Sequence, residues 1–270
     1  MGVDFGKTAS DYARHRAGFP EAFFDRLIRD GVARETDRVL DLGTGTGNVA
    51  RGFARRGCDV VGLDPSQALL EQAERLDKEA GLTIRHVQAT AEQTGLSPES
   101  FDLVAAGQCW HWFDRPKAAA EAGRVLVRGG RIMIAHLDWL SLPGNVVEAS
   151  ETLIGEHNPT FEWAANGVGT AGVYPNWFGD LTSAGFESIE SFTFDVRVPY
   201  SHEAWLGRIR ASAPVGASLP PDRVAAFDAD HRHILQERFP DEPLQIPHRV
   251  FAVWGRKPYT RVAIEQLGSP

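Results

Sequence analysis

The 270-residue chain is short of the features that would place it in a membrane, in a disulfide scaffold or on a nucleic acid. No run approaches the roughly eighteen apolar residues that a membrane-spanning helix needs. MGVDFGKTASDYARHR at the N-terminus has no apolar stretch of signal-peptide type. A cytoplasmic protein with no membrane partner is therefore expected. There are two cysteines, Cys58 and Cys109, too few for a disulfide framework or a structural zinc set. Cys58, in RRGCDVVGLD, reads as a small buried residue leading into a strand. The formal net charge is -8 and the arginines are scattered among carboxylates, so no basic face for a nucleic acid is expected. His231 and His233 stand two apart on an apparent helix, diverge by about 200°, and read as a solvated face, not a metal pair. No metal site is expected. Internal repeats, low-complexity tracts and long polar linkers are also lacking.

What is present is an alternation of strand and helix patterns. Hydrophobic residues make up 43% of the chain, enough for a full core in a single domain over residues 1–270. PEAFFDRLIRD is apolar at helical spacing. RVLDL reads as a strand, VARGFARRG as a helix ending at Gly57, DVVGLD as a strand, and SQALLEQAERLDKEA as a helix capped by Ser66. TIRHVQA and FDLVAA are a third and a fourth strand. DRPKAAAEAGRVLV reads as a helix capped by Asp114 and closed by Gly129-Gly130, and RIMIAH as a fifth strand. Such alternation implies right-handed crossovers and a mostly parallel sheet covered on both faces. After His136 the rhythm breaks. DWLSLPGN reads as a loop, NVVEASETLIGEHN as a helix, and the stretch to Asn176 has no clear period. Residues 137–180 are therefore assigned to an inserted helical or irregular cap over the active site. A helix around WFGDLTSAG, the long strand SIESFTFDVRVPY, two further helices and a last strand in PHRVFAVWGRKP complete the reading.

VLDLGTGTGNVA sets Gly43, Gly45 and Gly47 between the first strand and the helix that follows. Glycines suit a sharp turn at which a ligand approaches the backbone, and the helix start supplies unpaired N–H groups. Asp64 ends the second strand seventeen residues after Gly47, where an acid can take both hydroxyls of an adenosine ribose. A plain turn and a dinucleotide site are the alternatives, but the latter spaces its glycines G-x-G-x-x-G, whereas here the spacing is G-x-G-x-G with Asp41 two residues ahead.

That arrangement resembles motif I of the class I S-adenosylmethionine-dependent methyltransferases. The resemblance runs roughly from residue 36 to residue 136. Leu63-Asp64-Pro65-Ser66 is similar to the family's ribose-binding turn. Ala89-Thr90-Ala91-Glu92 falls at its adenine contact, with Thr90 where the family usually has an acid. Phe101-Asp102-Leu103-Val104 is similar to its fourth strand, and Leu126-Val127-Arg128-Gly129-Gly130 to the helix-end turn before the fifth. QCWHWFD further resembles a type 11-like subgroup that includes trans-aconitate methyltransferases. The resemblance implies a doubly wound, mostly parallel seven-stranded α/β sheet of Rossmann-like type with its cap after the fifth strand. It implies S-adenosylmethionine as cofactor, S-adenosylhomocysteine as product and a small-molecule acceptor. The cofactor residues implied are Tyr12 and Arg16, in a covering segment over 1–35, then Asp41, Gly43, Thr44, Gly45, Gly47, Asp64, Pro65, Thr90, Ala91, Glu92 and Gln108.

GQCWHWFD, residues 107–114, then falls beside the sulfonium methyl, because ligands in such sheets lie across the strand ends. Trp110 is expected to face the pocket, where an aromatic ring attracts a cation. Trp112 and Phe113 read equally as pocket wall and as packing for the helix starting at Asp114. His111 is the candidate base, with a bridging histidine as the equal alternative. His136, Trp139, Tyr174 and Trp177 are further candidates for substrate contact. A methyltransferase-like binding protein without transfer activity and a nicotinamide-dependent oxidoreductase are the other functions that fit the pattern.

Overall fold

A computed structural model describes residues 17–161 and 171–259. Tyr12 and Arg16 lie outside them. Seven strands form one sheet: β1 (Arg38–Leu42), β2 (Asp59–Asp64), β3 (Arg85–Gln88), β4 (Phe101–Gly107), β5 (Leu126–Trp139), β6 (Glu187–Tyr200) and β7 (Leu244–Arg256), in the order β3-β2-β1-β4-β5-β7-β6. β1 to β5 are parallel, and β7 is inserted antiparallel between β5 and β6. The sequence order thus reverses direction at β1/β4, where a crevice opens at the strand ends.

The apolar runs of β1, β4 and β5 are buried on both faces, as a parallel sheet between helical layers requires. On one face Leu40, Leu42, Val104, Ile132 and Ile134 meet helix α4 (Arg115–Val125) and helix α6 (Asn176–Ser183). On the other, Val39, Leu103, Ala105 and Met133 meet α1 (Glu21–Arg29) and α2 (Asn48–Ala54). Helix α3 (Gln67–Glu79) starts where the Ser66 hydroxyl accepts from Leu69 N, as its capping pattern predicted. Asp114 caps α4 in the same way. Cys58 is buried as expected, and burial pushes its thiol up to about 11.

Three expectations are corrected here. The helix expected to close at Gly129-Gly130 ends at Val125, and Leu126 already opens β5. Leu126 pairs with Phe101, while Gly129 N donates to Lys257 O and Lys257 N to Gly130 O. These partners satisfy the backbone in extended form, which a continued helix would forfeit. Likewise Asp138-Trp139 is strand, not loop, because its backbone pairs with Arg249 and His248 of β7.

The third correction concerns His231, in the helical layer beyond the sheet. Beyond the sheet, α5 (Val146–His157), α7 (His202–Arg210) and α8 (Pro221–Arg238) enclose Val147, Ile154, Trp205, Leu206, Phe227 and Leu235 against the far ends of β6 and β7. This helical layer draws on both sides of β6, while α6 lies on the sheet. His231, expected in solvent, is fully buried. It sits with Phe227 and Leu235 on the inner stripe of α8, and its Nε2 lies 2.9 Å from Ser150 Oγ, which also accepts from Trp205 Nε1 at 3.0 Å. Burial pushes His231 down to about 4. His233 is exposed, as expected. Among the described residues no helix is long and apolar enough to cross a membrane, and no cluster of metal-ligating side chains occurs.

Candidate active site

The loop between β1 and α2 turns through three left-handed glycines, Gly43 (φ 61°), Gly45 (φ 55°) and Gly47 (φ 82°), a region costly for residues with a Cβ. At Gly43 a Cβ would also strike Cys109, 2.9 Å from its Cβ. At Gly45 it would meet no atom of the described residues within 4 Å, so among them the outer side of the loop is open. Two carboxylates hold the loop from within. Buried Asp41 accepts from Thr44 Oγ1 at 2.7 Å and Ala50 N at 3.1 Å. Burial raises its carboxyl to about 7; these hydrogen bonds pull it down, and the Asp64 charge pushes it further up. Asp64 accepts from Gly45 N and Ser66 N, both at 2.9 Å. Burial raises it as well, with the two N–H groups opposing.

A brace behind this loop escaped the sequence reading. Arg51 Nη1 donates to Thr46 O at 2.7 Å and to Asp77 Oδ1 at 2.9 Å, and His86 Nε2 lies 2.7 Å from Asp77 Oδ2. The sequence does carry a trace of it. Asp77 follows Leu70 and Ala73 on the buried stripe of α3, where an unpaired carboxylate is not tolerated.

On the neighbouring strand ends, Thr90 is exposed, Ala91 buried, and Pro65 O accepts from Gln88 Nε2 at 3.1 Å. Glu92 Oε1 accepts from Asp114 N at 2.9 Å, tying the Ala89–Glu92 turn to the start of α4. Gln108 takes a positive φ of 62° at the end of β4, and its N–H donates to Ala135 O at 2.8 Å.

The aromatic cluster is arranged otherwise than expected. A single 3-10 turn, Trp110–Trp112, points Trp110 inward and Trp112 outward. Trp110 has no exposed surface, and its Nε1 donates to Asp180 Oδ2 at 3.0 Å, a carboxylate that also accepts from Arg115 at 3.1 Å. A fully enclosed ring does not face a pocket, so that expectation is corrected. Trp112 is 45% exposed and is not packing for α4. His111 lies between them, its ring 4.7 Å from Trp112 and 5.4 Å from His136.

His136 joins β4's end to β5's. Its Nδ1 lies 2.9 Å from Asp138 Oδ1, and the Tyr174 hydroxyl donates to Asp138 Oδ2 and lies 3.3 Å from His136 Nδ1. Tyr174 in turn stacks on Trp177 at 4.1 Å. Burial alone would raise Asp138, but the His136 charge and hydrogen bond, the Tyr174 hydroxyl and the His111 charge hold its carboxyl below the ordinary range. His111, His136 and Tyr174 are thus gathered around one ionised carboxylate. Trp139 is not among them. Its Nε1 donates to Glu151 at 2.9 Å and its ring meets Trp205 in the cap.

Comparison with known proteins agrees with this geometry. Residues 40–134 match the family model described as methyltransferase domain. An uncharacterised methyltransferase of Mycobacterium tuberculosis is 33% identical over 153 residues, 54% of this chain and 60% of that protein. A malonyl-[acyl-carrier protein] O-methyltransferase of Enterobacter lignolyticus is 34% identical over 140 residues, 52% of this chain and 54% of that protein. The chain thus spans little more than half the length of the curated relatives it matches. Among solved structures, the YcgJ protein of Bacillus subtilis superposes with a TM-score of 0.57 at 20% identity, covering 88% of this chain and 99% of that one. A phosphoethanolamine N-methyltransferase of Haemonchus contortus, crystallised with S-adenosylhomocysteine, gives 0.54 at 19%, covering 94% and 57%. These structures share the fold, with its crevice at β1/β4. Over residues 40–134 the chain is thus similar to methyltransferase domains.

Proposed function

We infer that the protein transfers a methyl group from S-adenosylmethionine to a small-molecule acceptor. The observation that carries this reading is the juxtaposition of two sites. The open glycine loop with its two carboxylates lies at the ends of β1 and β2, and the His111, His136, Asp138 and Tyr174 group lies at the ends of β4 and β5.

When bound, the cofactor supplies a methyl on a sulfonium, an already activated donor. Gly43, Gly45, Gly47 and Thr44 form the turn for its methionine end, and Asp64 is placed for the ribose. Pro65, Thr90, Ala91 and Glu92 border the base, and Gln108 stands at the methyl. Asp41 acts through the loop, which it holds in shape from inside. The chain's remaining work is to align the accepting atom and exclude water, which is where most of the gain in such a reaction lies. His111 is the group to take a proton from the acceptor, and His136, fixed by Asp138 and Tyr174, positions it through their shared edge. Exposed Trp112 borders the entrance. A covering role over the cofactor is proposed for the 1–35 segment, whose helix α1 packs on the sheet through Phe23, Phe24 and Leu27.

Titration calorimetry with S-adenosylmethionine and, separately, with NAD tests the cofactor. Release of S-adenosylhomocysteine in a mixture of small metabolites tests the transfer. Binding of NAD alone, or cofactor binding with no turnover across broad acceptor mixtures, would overturn the reading.

A further inference from the structure

Two glycines at the loop make room for protein groups, not for a ligand. A Cβ on Gly47 would lie 2.7 Å from Arg51 Nη1 and 3.3 Å from the Ala73 Cβ. A Cβ on Gly62 of β2 would lie 2.9 Å from His86 Nδ1 and 3.0 Å from Thr44 Oγ1. Both positions thus clear space for the brace of Arg51, Asp77 and His86. The brace is enclosed, with side chains 10%, 4% and 2% exposed in that order. It ties α2, α3 and β3 to one backbone atom of the loop. The same nitrogen, Arg51 Nη1, donates to Thr46 O at 2.7 Å and to Asp77 Oδ1 at 2.9 Å. Asp77 therefore fixes the direction from which the guanidinium reaches the loop, and His86, 2.7 Å from its other oxygen, fixes Asp77.

A buried ion pair adds little net stability over an apolar replacement, because desolvation offsets the attraction. Its geometric effect on the loop is direct. Gly47 is free to take either sign of φ, so the peptide between Thr46 and Gly47 can turn over unless it is held. The carbonyl and N–H of a trans peptide point in opposite directions. Here Arg51 holds the carbonyl side, and Gly47 N donates to Thr44 O at 2.8 Å on the other. The Asp64 contacts are separate: its carboxylate accepts from Gly45 N and Ser66 N, and neither bond involves the brace.

We propose that Arg51, aimed by Asp77 and His86, is a positioning residue that sets the Thr46–Gly47 peptide for the amino acid end of the cofactor, independently of the ribose position at Asp64. Arg51 acts through the loop and not by touching the ligand. The inference rests on the methyltransferase reading and deepens its account of the cofactor side.

The test is calorimetry on the full chain with S-adenosylhomocysteine and with 5′-methylthioadenosine, which keeps the nucleoside and sulfur but lacks the amino acid end. Arg51→Met combined with Asp77→Leu removes both charges together, so no buried ion is left unpaired. This variant should bind S-adenosylhomocysteine about tenfold or more weaker, the scale of one hydrogen bond to a charged group, and methylthioadenosine within about twofold of the unaltered protein. Arg51→Lys, which keeps one charged donor, should fall between. A general loss of structure would weaken both ligands alike. Equal losses for the two ligands, or no loss for either, would therefore overturn the proposal. Amide exchange on the unaltered, ligand-free protein gives a second reading. The Gly47 amide should already exchange slowly, and exchange at the rate of an unstructured chain would overturn the proposal even if no variant folds. Failure of S-adenosylhomocysteine to bind the unaltered protein would overturn the methyltransferase reading and the role of Arg51 with it, whereas unchanged discrimination in variants that bind it would overturn the role of Arg51 alone.

Discussion

The two halves of the sheet are built differently. In the parallel half, β1 to β4 are short, and the groups proposed for the cofactor sit at or directly after their ends. The Gly43–Gly47 loop, Asp64 and the Ala89–Glu92 turn each lie within a few residues of a strand end. In the antiparallel half, β5, β6 and β7 run 13 or 14 residues and overshoot the parallel strands, carrying α5, α7 and α8 beyond the sheet. There the groups that meet are distant in sequence: His136 with Tyr174, Trp110 with Asp180, Trp139 with Arg208. The glycine-loop side is built from local turns, whereas the His136 side is assembled from long-range pairings that can vary without disturbing the loop.

This contrast can be broken or sharpened by substitution. The largest effect is expected at the seam. His111→Ala should lower turnover about 10²–10⁴-fold, the usual loss on removing a general base, while melting and cofactor affinity stay nearly unchanged. A drop in melting temperature with turnover retained would make His111 a structural bridge. Trp110→Ala should destabilise the fold by about 3–5 kcal/mol, as for other buried aromatic truncations, because the ring is fully enclosed and its N–H is paired. Thermal or denaturant melts check this. Asp64→Ala should weaken S-adenosylmethionine binding by about 1.5–3 kcal/mol in calorimetry, the range for hydrogen bonds to a charged group; unchanged affinity would remove it from the site.

Asp41 offers a pH test of the parallel half. Its folded value of about 7 lies above the ordinary carboxyl value, so the native state binds the proton more tightly than the unfolded state does. The associated stability is fully present below the unfolded value, near 4, and is lost as pH rises through about 7. Asp41→Asn should therefore flatten the decline in denaturant stability between about pH 4 and pH 7. An identical slope in the variant would show that Asp41 does not titrate there. The smallest effect is expected at Trp112→Ala, within about 0.5 kcal/mol of the unaltered protein, since the side chain is half in solvent. A large loss of stability on this change would restore Trp112 to the core.

The amino-acid sequence by itself determined the alternation of strands and helices, the strand-end position of Gly43, Gly45, Gly47 and Asp64, and the resemblance to methyltransferase domains. Those features are local. Residue period, turn chemistry and capping act over a few positions and need no partner from elsewhere in the chain. It did not determine the start of β5 at Leu126, the burial of His231 or which tryptophan of WHW turns inward. Each of these depends on a partner far along the chain: Phe101 and Lys257 for β5, Ser150 for His231, and Asp180 for Trp110. Periodicity could not separate Trp110 from Trp112, because a three-residue 3-10 turn is too short to show a period. Only the packing of α6 against α4 brought Asp180 to the indole and left the other ring in water.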